Sequence, residues 1–201
     1  RGDSMRLKAL LSGVALLGGF ADEDVEISGI SYDTRTIQPG ELFVALTGYK
    51  TDGHRFLREA VEKGAAAVIC HKPPEEPGPW LIAADTRAAL ATVSANWFGR
   101  PADALTVIGV TGTNGKTTTT YLLKAMLEGV LGAKVGLMGT NQNMIGEKVI
   151  PAHRTTPESW EVQKLLRDMV DSGCTHVVME VSSHALALHR VDGISFKVGI
   201  F

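Results

Sequence analysis

Two cysteines in 201 residues, no excess of either charge sign and no long apolar run set the first bounds on this protein. The cysteines and the six histidines stand singly, without the paired spacing of a zinc site. Cys70 closes Ala-Val-Ile-Cys and Cys174 opens Cys-Thr-His-Val-Val, both apolar and strand-like, so both read as buried, reduced thiols of a reducing compartment. Twenty Lys and Arg against 22 Asp and Glu give a net charge of -2, which supplies no basic surface for nucleic acid or a membrane partner. No stretch reaches the roughly 20 apolar residues that a membrane-crossing helix needs. Internal repeats and low-complexity tracts are absent as well. What is there, 44% apolar and 21% charged residues, is the balance of an ordinary globular protein with one large or two modest domains.

The N-terminus imitates a secretion signal: Met5 to Lys8 is basic and Ala9 to Phe20 largely apolar. Ser12, Gly13, Gly18 and Gly19 interrupt the apolar run, and the segment reads instead as an N-terminal helix of a cytoplasmic protein. Arg1 to Ser4 precede a natural start at Met5 and read as a cloning remnant.

Two segments follow, residues 5–101 and 102–201, joined near Arg100-Pro101. In the first, Glu41 to Leu46, Ala65 to Cys70 and Trp80 to Ala83 read as strands, and Phe56 to Lys63 and Thr86 to Phe98 as helices. Lys72 to Pro79, with four prolines, is a surface loop. In the second, Leu105 to Val110, Lys134 to Met138, Thr175 to Val181 and a run from Phe196 read as strands. Helices are expected over Thr117 to Gly129 and Glu158 to Ser172, the latter striped by Val162, Leu165, Leu166, Met169 and Val170. The alternation predicts an α/β fold: a small mixed α/β domain, then the first part of a phosphate-loop domain with a parallel sheet. Lys197 to Phe201 ends inside a strand-like run, from which the chain is expected to be cut short.

The strongest local signal is Val107-Ile-Gly-Val-Thr-Gly-Thr-Asn-Gly-Lys-Thr-Thr118, a strand running through a glycine-rich turn into a helix. Gly112 and Gly115 let the backbone N–H groups of Gly112, Thr113, Asn114, Gly115 and their neighbours turn toward phosphate oxygens. The helix start beyond them adds partial positive charge. Lys116 is expected to reach the β- and γ-phosphates, and the Thr117 hydroxyl to bind Mg²⁺, with Thr118 completing the loop. Val110 stands where the usual pattern has glycine. ATP and GTP both fit. Glu180 ends the apolar run Val177-Val-Met at the carboxyl edge of a strand, where it reads either as a second Mg²⁺ ligand or as a solvated surface carboxylate.

Taken together, Thr111 to Thr118, Thr155-Thr-Pro157 and Met179-Glu-Val-Ser-Ser-His-Ala-Leu186 resemble the Mur ligases, which build the peptide stem of the bacterial cell wall. Asp33-Thr-Arg35, Pro39 to Leu46, Asp52-Gly-His54 and Gly64 to Ala67 extend the resemblance through the first segment. The family form of the phosphate loop also accommodates Val110. The resemblance implies a cytoplasmic ligase of peptidoglycan synthesis that uses ATP and Mg²⁺ to phosphorylate a D-glutamyl carboxylate. A diamino acid then attacks the acyl phosphate. The implied substrate is UDP-N-acetylmuramoyl-L-alanyl-D-glutamate.

The resemblance assigns roles by position. Lys116 and Glu180 are catalytic, with Thr117 and Glu180 on the metal. Thr34, where the family usually has serine, together with Tyr49, Lys50 and Thr51, faces the uridine nucleotide. Thr155, Thr156, Ser182 and Arg190 face the muramoyl peptide, and the planar Arg190 fork suits an anion. Family members continue with a carbamylated lysine, a metal-binding histidine and a C-terminal domain, so this chain alone is expected to be inactive. Thr155 and Thr156 also suit a helix N-cap, and His184 and His189 also suit structural roles. A phosphate-loop kinase and a simple nucleotide-binding module are the rival classes.

Overall fold

The computed structural model describes residues 4–48, 51–152 and 157–201. The chain divides into two compact units, Arg1–Trp97 and Phe98–Phe201, just ahead of Arg100-Pro101.

The first unit opens with a short strand, β1 (Met5–Arg6), one turn of helix α1 (Leu7–Leu10) and a strand β2 (Leu16–Gly19). Of the N-terminal helix expected here only the single turn of α1 forms, and Leu16–Gly19 is a strand instead. Gly19 shows why: its Cα lies so close to the next strand that an added Cβ would sit 2.2 Å from the Trp80 carbonyl oxygen. That contact belongs to a β ladder, with Leu16 opposite Ala83 and Gly19 opposite Leu81. Pairing of the apolar run with a neighbouring strand outcompetes a helix that its glycines already weaken.

Next come β3 (Glu26–Ile27), which pairs with β1, then β4 (Ile30–Ser31) and β5 (Leu42–Val44). A 3₁₀ turn (Gly53–Phe56) leads into α2 (Leu57–Glu62), followed by β6 (Ala67–Cys70), β7 (Trp80–Ala83) and α3 (Thr86–Trp97). The sheet order is β2-β7-β6-β5-β4, with only β2 antiparallel to its neighbour. Phe43, Val68 and Cys70 pack with Leu57 and Ala60 of α2, and α3 packs against β5 and β6. Burial pushes the Cys70 thiol up to about 11, and the Cys174 thiol is raised for the same reason. Both cysteines are free and buried, as their contexts predict.

The second unit begins with a 3₁₀ turn (Pro101–Ala104) packed on a later helix. Its elements are β8 (Thr106–Val110), α4 (Lys116–Leu131), β9 (Val135–Met138), β10 (Gln142–Ile145), β11 (Lys148–Pro151), α5 (Ser159–Asp171), β12 (His176–Glu180), α6 (Ser183–Ala187) and β13 (Phe196–Ile200). The sheet order is β11-β10-β9-β12-β8-β13. From β9 to β13 the strands are parallel, as the alternation predicts, while β10 and β11 add an antiparallel arm.

Strand periodicity divides this core into two faces. Ile108, Val110, Leu137 and Val178 meet Tyr121, Leu123 and Leu127 of α4 on one face. Val107, Met138, Val177 and Met179 meet Val162, Leu166 and Met169 of α5 on the other. The sheet therefore has helices on both faces. Its parallel strands all deliver their carboxyl ends to one edge, where α/β folds bind ligands.

Candidate functional site

At that edge β8 runs out at Val110, and the chain turns through Gly112 (φ +126°) and Gly115 (φ +81°) into α4. Both glycines hold the left-handed conformations that a phosphate loop requires. No side chain caps α4, so the backbone donors of its first turn, from Lys116 on, are left to an anion or to water. Thr113, Asn114, Gly115 and Thr118 are exposed. The Lys116 ammonium is folded back and donates to the Gly112 carbonyl at 2.6 Å.

Glu180 reaches the same place from the end of β12. Its Oε1 accepts from the Thr117 hydroxyl at 2.8 Å and its Oε2 from the Thr140 backbone N–H at 2.6 Å. A hydroxyl and a carboxylate converging at the start of α4 form a hard-oxygen donor pair of the kind Mg²⁺ takes, so these residues fit the ion. Among the described residues no group of three or more His, Cys, Asp or Glu gathers as a metal cluster. A site of the Thr117–Glu180 type would take its remaining ligands from phosphate oxygens and water.

Beside this pair opens a cavity of about 240 Å³. Lys116, Thr140, Asn143, Glu180, Ser182 and Arg190 are among the residues that line it. The Ser182 hydroxyl also caps α6, accepting from the Ala185 N–H at 3.1 Å, which is worth about 1 kcal/mol to so short a helix. The Arg190 guanidinium donates to Glu158 Oε1 at 3.2 Å, and both side chains are largely buried. His189 pairs with Asp192 through Nδ1 at 2.7 Å, a local contact within the turn after α6.

In the first unit Thr34 is buried, and its carbonyl accepts from the Lys63 ammonium at 2.7 Å. Asp33 grips Arg35 at 2.6 Å, and that hydrogen-bonded carboxylate raises the Arg35 guanidinium above its ordinary value. Thr51 is exposed, and its carbonyl accepts from Gly48 N–H at 3.0 Å. Asp52 and His54 form a brace. Asp52 Oδ1 accepts the His54 backbone N–H at 3.0 Å and meets the ring Nδ1 at 2.8 Å, while the His71 backbone N–H donates to Nε2 at 2.7 Å. With Nε2 accepting from His71, Nδ1 is the ring nitrogen that donates to Asp52. The Asp52-Gly-His54 motif thus ties the loop after β5 to the end of β6.

The structure brings Lys116, Thr117, Glu180, Ser182 and Arg190 to one edge of one sheet. Tyr49, Lys50, Thr155 and Thr156 lie outside the described residues. The residue types alone did not single out Thr140, Asn143 or Glu158. Thr140 follows β9 at the same carboxyl edge as Glu180, so the rule that marked Glu180 would have marked it. Glu158 carries no motif signal until Arg190 is seen beside it.

Two family models match the chain: "Mur ligase family, catalytic domain" over residues 26–98 and "Mur ligase middle domain" over residues 110–201. A UDP-N-acetylmuramoyl-L-alanyl-D-glutamate–2,6-diaminopimelate ligase of Caldanaerobacter subterraneus is 49% identical over 201 residues, covering 98% of this chain and 41% of the relative. The ligase of the same name from Chlorobium phaeobacteroides is 49% identical over 203 residues, covering 98% and 40%. A solved structure of a ligase with that name superposes with a TM-score of 0.81 at 28% identity, over 98% of this chain and 39% of that one. The chain thus spans about two-fifths of the length of the relatives it matches.

Proposed function

Because this chain belongs to the Mur ligase family, we propose that it is the substrate- and ATP-binding part of a cytoplasmic, ATP-dependent peptidoglycan ligase. The ligase joins a diamino acid to UDP-N-acetylmuramoyl-L-alanyl-D-glutamate. The names of the relatives favour 2,6-diaminopimelate as that amino acid. Residues 5–101 take the uridine nucleotide, with Thr34, Tyr49, Lys50 and Thr51 as contacts. Residues 102–201 take ATP and the peptide end of the muramoyl substrate, with Thr155, Thr156, Ser182 and Arg190 on the latter.

The observation that carries this reading is the shared cavity, lined by Lys116 and Glu180 together with Ser182 and Arg190. A site that phosphorylates a carboxylate must bring two polyanions together, and two cationic side chains, Lys116 and Arg190, on one cavity suit that need. Arg190, held by Glu158, grips an anionic group of the peptide. Lys116 leaves the Gly112 carbonyl for the β- and γ-phosphate oxygens, and the open first turn of α4 holds the rest of the phosphate chain. Thr117 and Glu180 would hold Mg²⁺, which when bound neutralises charge on the transferring phosphoryl group.

The D-glutamyl carboxylate oxygen attacks the γ-phosphorus, the bond to the β,γ-bridging oxygen breaks, and ADP leaves. The amine then attacks the acyl carbon and loses a proton as the C–O bond to phosphate breaks. Phosphate release by the full-length enzyme tests the proposal. It should require both the muramoyl dipeptide and the diamino acid, and Lys116→Ala should slow it by about 100-fold or more. Phosphate release that ignores the muramoyl dipeptide would reject the ligase reading, as would phosphoryl transfer to an acceptor with no phosphate released, the kinase outcome, or no turnover at all, the outcome of a plain nucleotide-binding module.

A further inference from the structure

Glu180 is held from two sides, and one of those holds lies outside the phosphate loop. The β9–β10 turn carries Gly139 and Thr140, and the Thr140 N–H fixes Oε2 of the glutamate. Asn143, opposite Met138 in the antiparallel ladder, accepts from the Gly139 N–H through Oδ1 at 3.3 Å and so pins that turn. Space is as tight as the hydrogen bonding. A Cβ built on Gly139 would lie 2.8 Å from Glu180 Oε2 and 3.2 Å from the Gln142 carbonyl oxygen. The first atom it meets is therefore the end of a flexible side chain, which can move without unfolding the sheet.

We infer that Gly139 and Asn143 are positioning residues for Glu180: they set the turn whose N–H fixes one carboxylate oxygen and leaves the other on Thr117, aimed at the nucleotide's metal. This rests on the reading of Thr117 and Glu180 as metal ligands. It assigns the antiparallel arm of the sheet a part in nucleotide binding, since the β9–β10 pairing places both residues. Groups that orient a metal ligand from outside the coordination sphere commonly alter metal affinity when changed.

The test is calorimetric titration of the 201-residue chain with ADP across a range of Mg²⁺ concentrations, with thermal melts run in parallel. Gly139→Ala should raise the Mg²⁺ needed for half-maximal ADP binding about tenfold or more while leaving metal-free ADP affinity and the melting temperature unchanged. Asn143→Ala should act in the same direction. In a Glu180→Ala background, Gly139→Ala should add nothing, because the group it acts through is gone. An unchanged Mg²⁺ requirement in Gly139→Ala, or an equal loss in both backgrounds, overturns the inference while the metal role of Glu180 stands. If Glu180→Ala itself leaves the Mg²⁺ requirement unchanged, the metal reading fails and the inference falls with it.

Discussion

Asp52 accepts a backbone N–H and touches the His54 ring while remaining at the surface. The His54 backbone N–H holds its carboxyl below the usual range, against a smaller opposing effect of burial. A carboxyl lowered on folding stabilises above its unfolded value, and that stabilisation is lost as pH falls through the lowered one. The stability difference between the wild type and Asp52→Asn should therefore shrink as pH drops below about 4, read by denaturant melts. A difference that stays constant down to pH 2 would contradict the brace. At this scale position was legible where a residue type meets an element's end: Lys116 and Thr117 open α4, and Glu180 closes β12. It was silent where a role depends on a distant partner. Glu158 matters because Arg190 folds back onto it, and nothing local to either residue announces that contact.

Elements were legible where hydrophobic period and length agreed. β7, α3 and α5 form within a residue or so of their expected bounds. The N-terminal apolar run was not, because short apolar stretches broken by glycine fit a helix or a strand equally, and only the ladder to β7 decides. The β10–β11 arm was missed for a related reason. Its turn residues, Gly146-Glu147, are flanked by strands of only four residues, Gln142–Ile145 and Lys148–Pro151, in which neither face is consistently apolar, so no period-2 pattern stands out. Gly19→Ala tests the β2 assignment. The new Cβ would meet backbone atoms of Trp80 and Leu81 rather than a movable side chain, so the change should cost about 2 kcal/mol or more in a thermal or denaturant melt. A neutral result would mean that β2 does not pair as described.

For the molecule as a whole, the alternation of strands and helices predicted two α/β segments, and both units carry that architecture. Among the described residues no helix is long and apolar enough to cross a membrane. Function lies one step beyond architecture, because phosphate loops serve many chemistries. What narrows the choice is the company the loop keeps: a carboxylate on Thr117 and a held arginine lining the same cavity. The direct measurement is calorimetric titration of this chain with UDP-N-acetylmuramoyl-L-alanyl-D-glutamate, alongside Arg190→Ala. Saturable binding that Arg190→Ala weakens by about tenfold or more is the predicted result. No binding, or binding indifferent to Arg190, would contradict the muramoyl-peptide assignment of the cavity.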